Sequence, residues 1–400
     1  RHPCARDPLM EPATRARLAA AGAAPAEILL PAAGVDLTRF SCVACDQYSA
    51  QPEYWEEVSA FVGAAPSSLA MMMPEAWLGS RPEHERAIPG AMARFLADGT
   101  LVSQGEGMVF LHRWTTAGVR RGLVLALDLE QYDFTPGSHS LIRATEQTVV
   151  ERLPARIAIR RAAPIEMPHI LVLLDDRERR LMSLLDAVTE GKPPAYDFPL
   201  MRQSGRLTGW MLREEETLRA VADALLALKE RAADGMLYAM GDGNHSFAAA
   251  KAHWDALRPT LPPADRQTHP ARWALAELVD LHDPALTFEP IHRLLLGVDP
   301  DAVQREAGFD AADPPPLQEL QPRLDAWLAQ HPEAGLEYIH GREECLRLGD
   351  APDRLAIVWD AFSRDTLFAD VERHGVLCRK SFSMGAACDK RFYLECRRIR

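Results

Sequence analysis

The chain has 400 residues, a formal net charge of −12, 47% hydrophobic residues and 26% charged residues. This is an ordinary globular mix, long enough for two domains or one large α/β domain. The acidic balance argues against a general binder of nucleic-acid backbones, and no run of about 18 uncharged apolar residues offers a membrane span.

Residues 1–24 are rich in Ala, Arg and Pro, and Arg1–Met10 lacks the apolar core of a signal peptide. The seven cysteines are scattered and odd in number, which fits a reducing cytoplasm. Cys42 and Cys45 have CxxC spacing without a second pair. They read as two small buried residues of a strand, with metal or redox use as the alternative.

Glu27–Pro31 and Arg39–Cys45 read as strands, and Gln51-Pro52-Glu53 opens a helix that runs to Val62. Arg81–Asp98 is amphipathic and helical in pattern, interrupted by Pro89 and closed by Gly99. Met108–Trp114 and Gly118–Leu129 form a predicted hairpin. Ser140–Leu153 reads as a helix carrying Arg143, Thr145, Glu146 and Arg152. Ile170–Leu174 is a continuous apolar strand ending in Asp175-Asp176, which precede a helix over Arg177–Thr189. Tyr196–Arg202 and Arg206–Leu212 suggest a second hairpin, and Glu214–Ala232 an amphipathic helix ended by Gly235.

Met236–Met240 then reads as a buried strand, followed by Gly241-Asp242-Gly243-Asn244-His245-Ser246. A helix follows with Phe247, Ala250, Trp254 and Leu257 on one face. Ala274–Leu281 is a further apolar run, Pro322–Gln330 is helical, and Gly335–Ile339, Glu344–Leu348 and Leu355–Val358 read as edge strands. The tail, Arg379–Arg400, is dense in Lys, Arg and aromatic residues. Helices and strands alternate irregularly, with hairpins among them. The expected fold is therefore α/β, mixed α+β, with a mixed sheet, flanking helices and a central strand–glycine loop–helix unit. Three regions are expected: 25–135, a core over 136–300, and 301–400, the last possibly continuous with the core.

Strand, glycine turn and helix start together present backbone N–H groups and a positive dipole end to an anion, usually phosphate. Gly241 and Gly243 permit the turn, and Asn244 and Ser246 add polar groups beside it. Asp242 is either a carboxylate for Mg²⁺ or for proton transfer, or an Asx-turn residue. His245 offers a donor or an acid where the helix begins. Lys251, one turn on, can reach back to the loop, or snorkel at the surface. Arg143, Thr145, Glu146 and Arg152 suit a hydroxyl substrate, the carboxylate as base and the guanidinium for an anionic group, or else form an exposed ion-pair network. Asp175 and Asp176 sit at a strand end, where α/β sites collect and metals are held, or cap the next helix. His292, Arg293, Arg379 and Lys380 offer cations, with a solvated basic face as the plain alternative.

The segments CDQYSAQPEYWEEV, IRATEQTVVERLPARI, PHILVLLDD, GDGNHSFAAAK, HDPALTFEPIHR, EYIHG and RKSFSMGAACDKRFYLECRRI resemble a widespread bacterial family, domain-of-unknown-function family 1015. The resemblance runs from about Cys45 to Ile399. Much of that family carries a DGHHR-like loop where this chain has Asp242–Ser246. That loop is similar to the phosphate-contacting loop of ParB and sulfiredoxin-like nucleotide-binding proteins, which include free-serine kinases. The resemblance implies phosphoryl transfer from ATP or ADP, with Mg²⁺, to a small hydroxyl-bearing metabolite. Serine is the first to assay. In that picture Asp242, Asn244 and His245 take the loop positions and Glu146 is the base.

Ser246 stands where the loop arginine would, and serine cannot offer phosphate a bidentate cation. Either Lys251, Arg379, Lys380 or Arg391 fills in, or the chemistry differs. The expectation is that Lys251 or the Arg379-Lys380 run lies within reach of the loop. Two competing readings stay open. One is a metal-dependent phosphohydrolase using Asp175, Asp176, Asp242 and His245; the other is a non-catalytic nucleotide or metabolite binder. Nucleic acid and membrane are not expected partners, and the oligomeric state is not legible.

Overall fold

The structure is a computed structural model that describes residues 10–148, 150 and 153–400. The chain opens with helix α1 (Pro12–Ala20) and strands β1 (Ala23–Ala24) and β2 (Ala26–Pro31). Helices α2 (Leu37–Phe40), α3 (Pro52–Val62) and α4 (Pro82–Ala97) follow, then the long hairpin β3 (Leu101–Thr115) and β4 (Gly118–Asp128). Short strands β5 (Tyr132–Asp133) and β6 (Ile142–Arg143) lead to α5 (Leu153–Ala162), β7 (Ile165–Glu166), β8 (Leu171–Leu174) and α6 (Arg180–Thr189). A second hairpin, β9 (Tyr196–Pro199) and β10 (Arg206–Leu212), precedes α7 (Glu215–Arg231), β11 (Tyr238–Asp242), α8 (Asn244–Leu257) and β12 (Trp273–Asp280).

These strands, β7 excepted, build one mixed sheet of eleven strands, ordered β5-β6-β11-β8-β12-β4-β3-β10-β9, with β1 beside β4 and β2 beside β3. β8 and β12 run parallel, whereas β8 and β11 run antiparallel. Alternate residues feed two apolar layers, one on each face. Val109, Leu111 and Val124 enter one layer, and Phe110, Leu123 and Leu125 the other. Helices α7 and α8 pack Leu218, Val221, Leu225, Phe247 and Trp254 into the second layer. The result is the mixed α/β architecture expected from the irregular alternation of elements.

The chain divides into two compact units. The sheet just described belongs to the first, which takes in Arg1–Ala144, Thr148–Leu286 and Ala387–Arg400. The second comprises Thr145–Gln147 and Thr287–Ala386. It holds β13 (Phe288–Leu296), α9 (Pro300–Ala307), α10 (Leu317–Leu328), β14 (Gly335–His340), α11 (Arg342–Leu348), β15 (Arg354–Ile357), α12 (Leu367–His374) and β16 (Phe382–Met384). β13 is central there, paired with β14, β15 and β16. The tail returns to the first unit, where β17 (Arg397–Arg398) pairs with β7.

Three element assignments differ from the sequence reading. Arg39–Cys45 is not a strand: Asp36 caps α2 through the Thr38 and Arg39 N–H groups, and Val43 makes only an isolated bridge to Phe392. Ser140–Leu153 is not one helix. Leu141 accepts from the Leu237 and Tyr238 N–H groups, and β6 pairs with β11, so tertiary pairing overrides local pattern. Glu344–Leu348 lies in α11, where Arg347 pairs with Glu344 one turn back. Pro89 and Pro322 both lie inside helices.

The tail is a solvated basic face only in part: Arg379, Lys380, Arg398 and Arg400 are exposed, whereas Arg391 and Arg397 are buried. The Arg391 guanidinium pairs with Glu277 and, at 2.5 Å, with Glu395, and it donates to the Pro168 carbonyl at 3.1 Å. Arg397 pairs with Glu166 at 2.7 Å. All five of these side chains are buried. Gly122 makes room for Glu277: a Cβ there would sit 2.3 Å from its Oε1.

Candidate functional site

The loop begins on a bulge. β11 pairs with β8 through Met240 and Val172, the register slips at Gly241, and Asp242 then meets Leu171. Gly243 is in the left-handed region, φ 78°, and a Cβ there would come 3.1 Å from the Ile170 Cα. Conformation and close approach both demand glycine at that position. α8 starts immediately after it with no side-chain cap, so its first-turn N–H groups lack partners within the helix. Asn244 is the first helical residue, and its buried Oδ1 has no hydrogen-bond partner among the described residues. His245 and Ser246 are half-buried in the same turn.

Asp242 accepts the Gly243 N–H at 2.9 Å through Oδ1, and its Oδ2 lies 3.2 Å from the Lys390 Nζ. Lys390 therefore sets an ammonium beside Asp242 of the loop, and the sequence reading did not single it out. Lys251 turns the other way, pairing with Asp255 at 3.1 Å on the next turn of α8. Arg391 is committed to Glu277 and Glu395. Arg379 and Lys380 belong to the second unit, where their carbonyls accept from the buried Arg293 guanidinium at 2.9 Å each.

Lys390 is held in place by its neighbours. The Arg113 guanidinium donates to the Cys388 carbonyl at 2.6 Å, Arg120 donates to the Asp389 carbonyl at 3.0 Å, and the Asp389 carboxylate accepts the Thr116 N–H at 2.9 Å. Residues 42–45 run alongside: the Ala44 N–H donates to the Arg391 carbonyl at 2.9 Å, and the Tyr393 N–H to the Cys42 carbonyl at 2.8 Å. Asp46 follows directly.

Burial works against the charged form of Asp46. The His169 imidazole, the Gln47 amide and the Lys390 ammonium outweigh it and hold the carboxyl below its ordinary value. Asp46 Oδ1 accepts from the Gln47 amide at 3.0 Å, and Oδ2 lies 3.9 Å from His169 Nε2. His169 Nδ1 is 2.8 Å from the Tyr393 hydroxyl, which accepts the Cys45 N–H at 3.1 Å. Burial, then the Asp46 charge, push the Cys45 thiol up to about 12, and burial raises Cys42 as well. Both are free thiols that stay protonated at neutral pH, as buried structural residues do.

The other singled-out residues make the following contacts. Arg143 is buried and pairs with Asp234 at 2.9 Å. Glu146 belongs to the second unit, bridged to Leu377, and the Thr145 carbonyl accepts the Leu377 N–H at 2.7 Å. Arg152 lies outside the described residues. Arg293 donates to Gln321 at 2.7 Å and stacks on Tyr338, and His292 Nδ1 accepts the Trp359 N–H at 3.4 Å.

Asp175 and Asp176 sit beyond the C-terminal end of β8. Because β11 runs antiparallel to β8, Asp242 lies at the opposite end of that pairing, against Leu171. The two groups of carboxylates do not converge. Among the described residues no group of three or more His, Cys, Asp or Glu side chains is placed to hold a metal ion.

At the Asp175 end, His282 lies 2.6 Å from Asp175 and Asp176 accepts the Leu181 N–H at 2.9 Å. Asp280 is buried beside Arg179, which sits at 3.6 Å. Burial, reinforced by Asp176 and opposed by His282 and Arg179, raises the Asp280 carboxyl from 3.8 to about 6. The folded protein thus favours the neutral acid. That stabilisation is complete below about pH 3.8 and is lost as pH rises through about 6. In denaturant titrations, Asp280→Asn should gain about 3 kcal/mol relative to the native chain between about pH 4 and about pH 8. An equal difference at both pH values would refute the shift.

Residues 29–313 match the model of a family described as protein of unknown function, DUF1015, and the chain belongs to that family. No curated protein matches it. Among solved structures, it is similar to a free serine kinase variant in complex with ADP, with 13% identity and a TM-score of 0.36, over 69% of this chain and 92% of that one. It is also similar to a conserved hypothetical protein from Pyrococcus furiosus, with 14% identity and a TM-score of 0.32, over 65% and 90%. A third is C-terminally truncated SbnI from Staphylococcus aureus, with 11% identity and a TM-score of 0.33, over 65% and 82%. Among the described residues no helix is long and apolar enough to cross a membrane.

Proposed function

We propose that the protein binds ATP or ADP at the Gly241–Ser246 loop and transfers a phosphoryl group to a small hydroxyl-bearing metabolite. The observation that carries this reading is the Lys390 ammonium, 3.2 Å from Asp242 and beside the uncapped start of α8. It supplies the cation that Ser246 cannot. Backbone donors, a helix dipole and one ammonium together make a phosphate site. Asn244 Oδ1, which has no hydrogen-bond partner among the described residues, adds an acceptor at the same place.

Mg²⁺ bound with the nucleotide would neutralise phosphate charge. Asp242 fits as its protein ligand, since each oxygen has one partner among the described residues and keeps a lone pair, and Mg²⁺ commonly takes one or two carboxylates with the phosphates. The phosphohydrolase reading is less favoured, because it needs Asp175 and Asp176 on the same metal as Asp242.

The test is calorimetric titration of the purified protein with ATP and with ADP in the presence of Mg²⁺, followed by product analysis with a metabolite panel led by serine. Binding with a Kd at or below about 1 mM is expected. Failure of both nucleotides to bind would overturn the proposal. Binding without any transfer would leave a non-catalytic nucleotide binder.

A further inference from the structure

The loop has a second polar neighbour that holding phosphate does not use. Asp46, His169 and Tyr393 form a string that starts at the partly open Asp46 carboxylate and ends in the buried Tyr393 hydroxyl. The string adjoins the loop through the chain itself: His169 precedes Ile170, which packs on Gly243. We propose that Asp46 is the general base that takes the proton of the acceptor hydroxyl, with His169 and Tyr393 as positioning residues behind it. This role rests on the phosphoryl-transfer reading of the same loop.

The Tyr393 oxygen accepts the Cys45 N–H and lies 2.8 Å from His169 Nδ1, while His169 Nε2 faces Asp46 at 3.9 Å. Against burial, His169, Gln47 and Lys390 together hold the Asp46 carboxyl below its ordinary value, so it is ionised at neutral pH. Asp242 is a poorer base, because Lys390 and the Gly243 N–H hold its two oxygens.

In the step itself the acceptor oxygen bonds to the terminal phosphorus and the phosphoanhydride P–O bond breaks. The hydroxyl proton passes to Asp46, and the nucleotide leaves one phosphate shorter, its electron pair on the former bridging oxygen. Phosphoryl transfer has a loose transition state and asks little of its base, so a carboxylate of low basicity suffices.

The experiment uses the full chain and measures nucleotide affinity and transfer rate together. Asp46→Asn should bind nucleotide within about twofold of the native protein while transfer falls at least about a hundredfold, and Asp46→Glu should restore part of the rate. His169→Gln should move the acidic limb of the pH–rate profile upward, since Asp46 loses the largest of the influences that hold it ionised, and Tyr393→Phe should move it less, since it removes only the ring's partner. A merely structural loss would lower the rate equally at every pH. Transfer that survives Asp46→Asn would overturn the role and leave nucleotide binding intact. Absence of nucleotide binding by the native chain would overturn the phosphoryl-transfer reading and this role with it. If Asp46→Asn does not fold, the His169→Gln profile decides, an unmoved acidic limb counting against the role.

Discussion

Lys390→Met should weaken nucleotide binding about tenfold or more and lower phosphoryl transfer about a hundredfold, because it removes the ammonium that pairs with Asp242 in the Gly241–Ser246 loop. The size follows from how the lysine is held. Its flanking backbone is fixed by Arg113 and Arg120, and its side chain is only 12% exposed, so little ordering remains to be done when a phosphate arrives. Asp242 next to a lost ammonium would also be destabilising in its own right, and a second variant separates the two effects. In the double variant Lys390→Met with Asp242→Asn the uncompensated charge is gone, so thermal stability should return to near the native value. Nucleotide affinity should not return. Calorimetric titration beside a melting curve reads both. Recovery of binding in the double variant would mean that Lys390 serves only to neutralise Asp242.

That lysine also shows where sequence reasoning reached its limit. The strand–loop–helix unit was legible because three local signals agree there: the apolar run of β11, the paired glycines and the period of α8. The hairpins β3–β4 and β9–β10 and the helix α7 were legible for the same reason. Residues 140–153 were not, since Arg143 carries a helix-compatible charge pattern and is nevertheless buried against Asp234. Short runs such as Glu344–Leu348 fit strand and helix equally well. The loop's company failed differently. A basic tail is normally solvated, and nothing local says that Arg391 finds Glu277 and Glu395 or that this places Lys390 beside Asp242. Asp46, His169 and Lys390 are single residues without a spacing pattern. The one available signal was that each lies in a segment that resembles the family, CDQYSAQPEYWEEV, PHILVLLDD and RKSFSMGAACDKRFYLECRRI.

Arg391→Leu should destabilise the protein by about 3–5 kcal/mol, the cost of leaving two buried carboxylates without their cation. Glu277 and Glu395 are 1% and 0% exposed, and Arg391 lies between them. Burial alone would lower the basicity of the guanidinium, but Glu395 and Glu277 reverse this and hold it firmly charged. Tyr196 donates to the remaining Glu395 oxygen, and Arg120 approaches Glu277 at 3.6 Å, too far to replace Arg391. The same guanidinium ties the tail to the Pro168 carbonyl, next to His169, so the loss should spread into the site. Urea unfolding midpoints measure the first effect, and nucleotide affinity under folding conditions measures the second. Adding Glu277→Gln and Glu395→Gln to Arg391→Leu should recover much of the stability, since the buried charges are then gone. It should not recover nucleotide affinity, because the link from the tail to Pro168 is still missing. If the triple variant regains both, the network is a stability element alone and the placement of Lys390 does not depend on it.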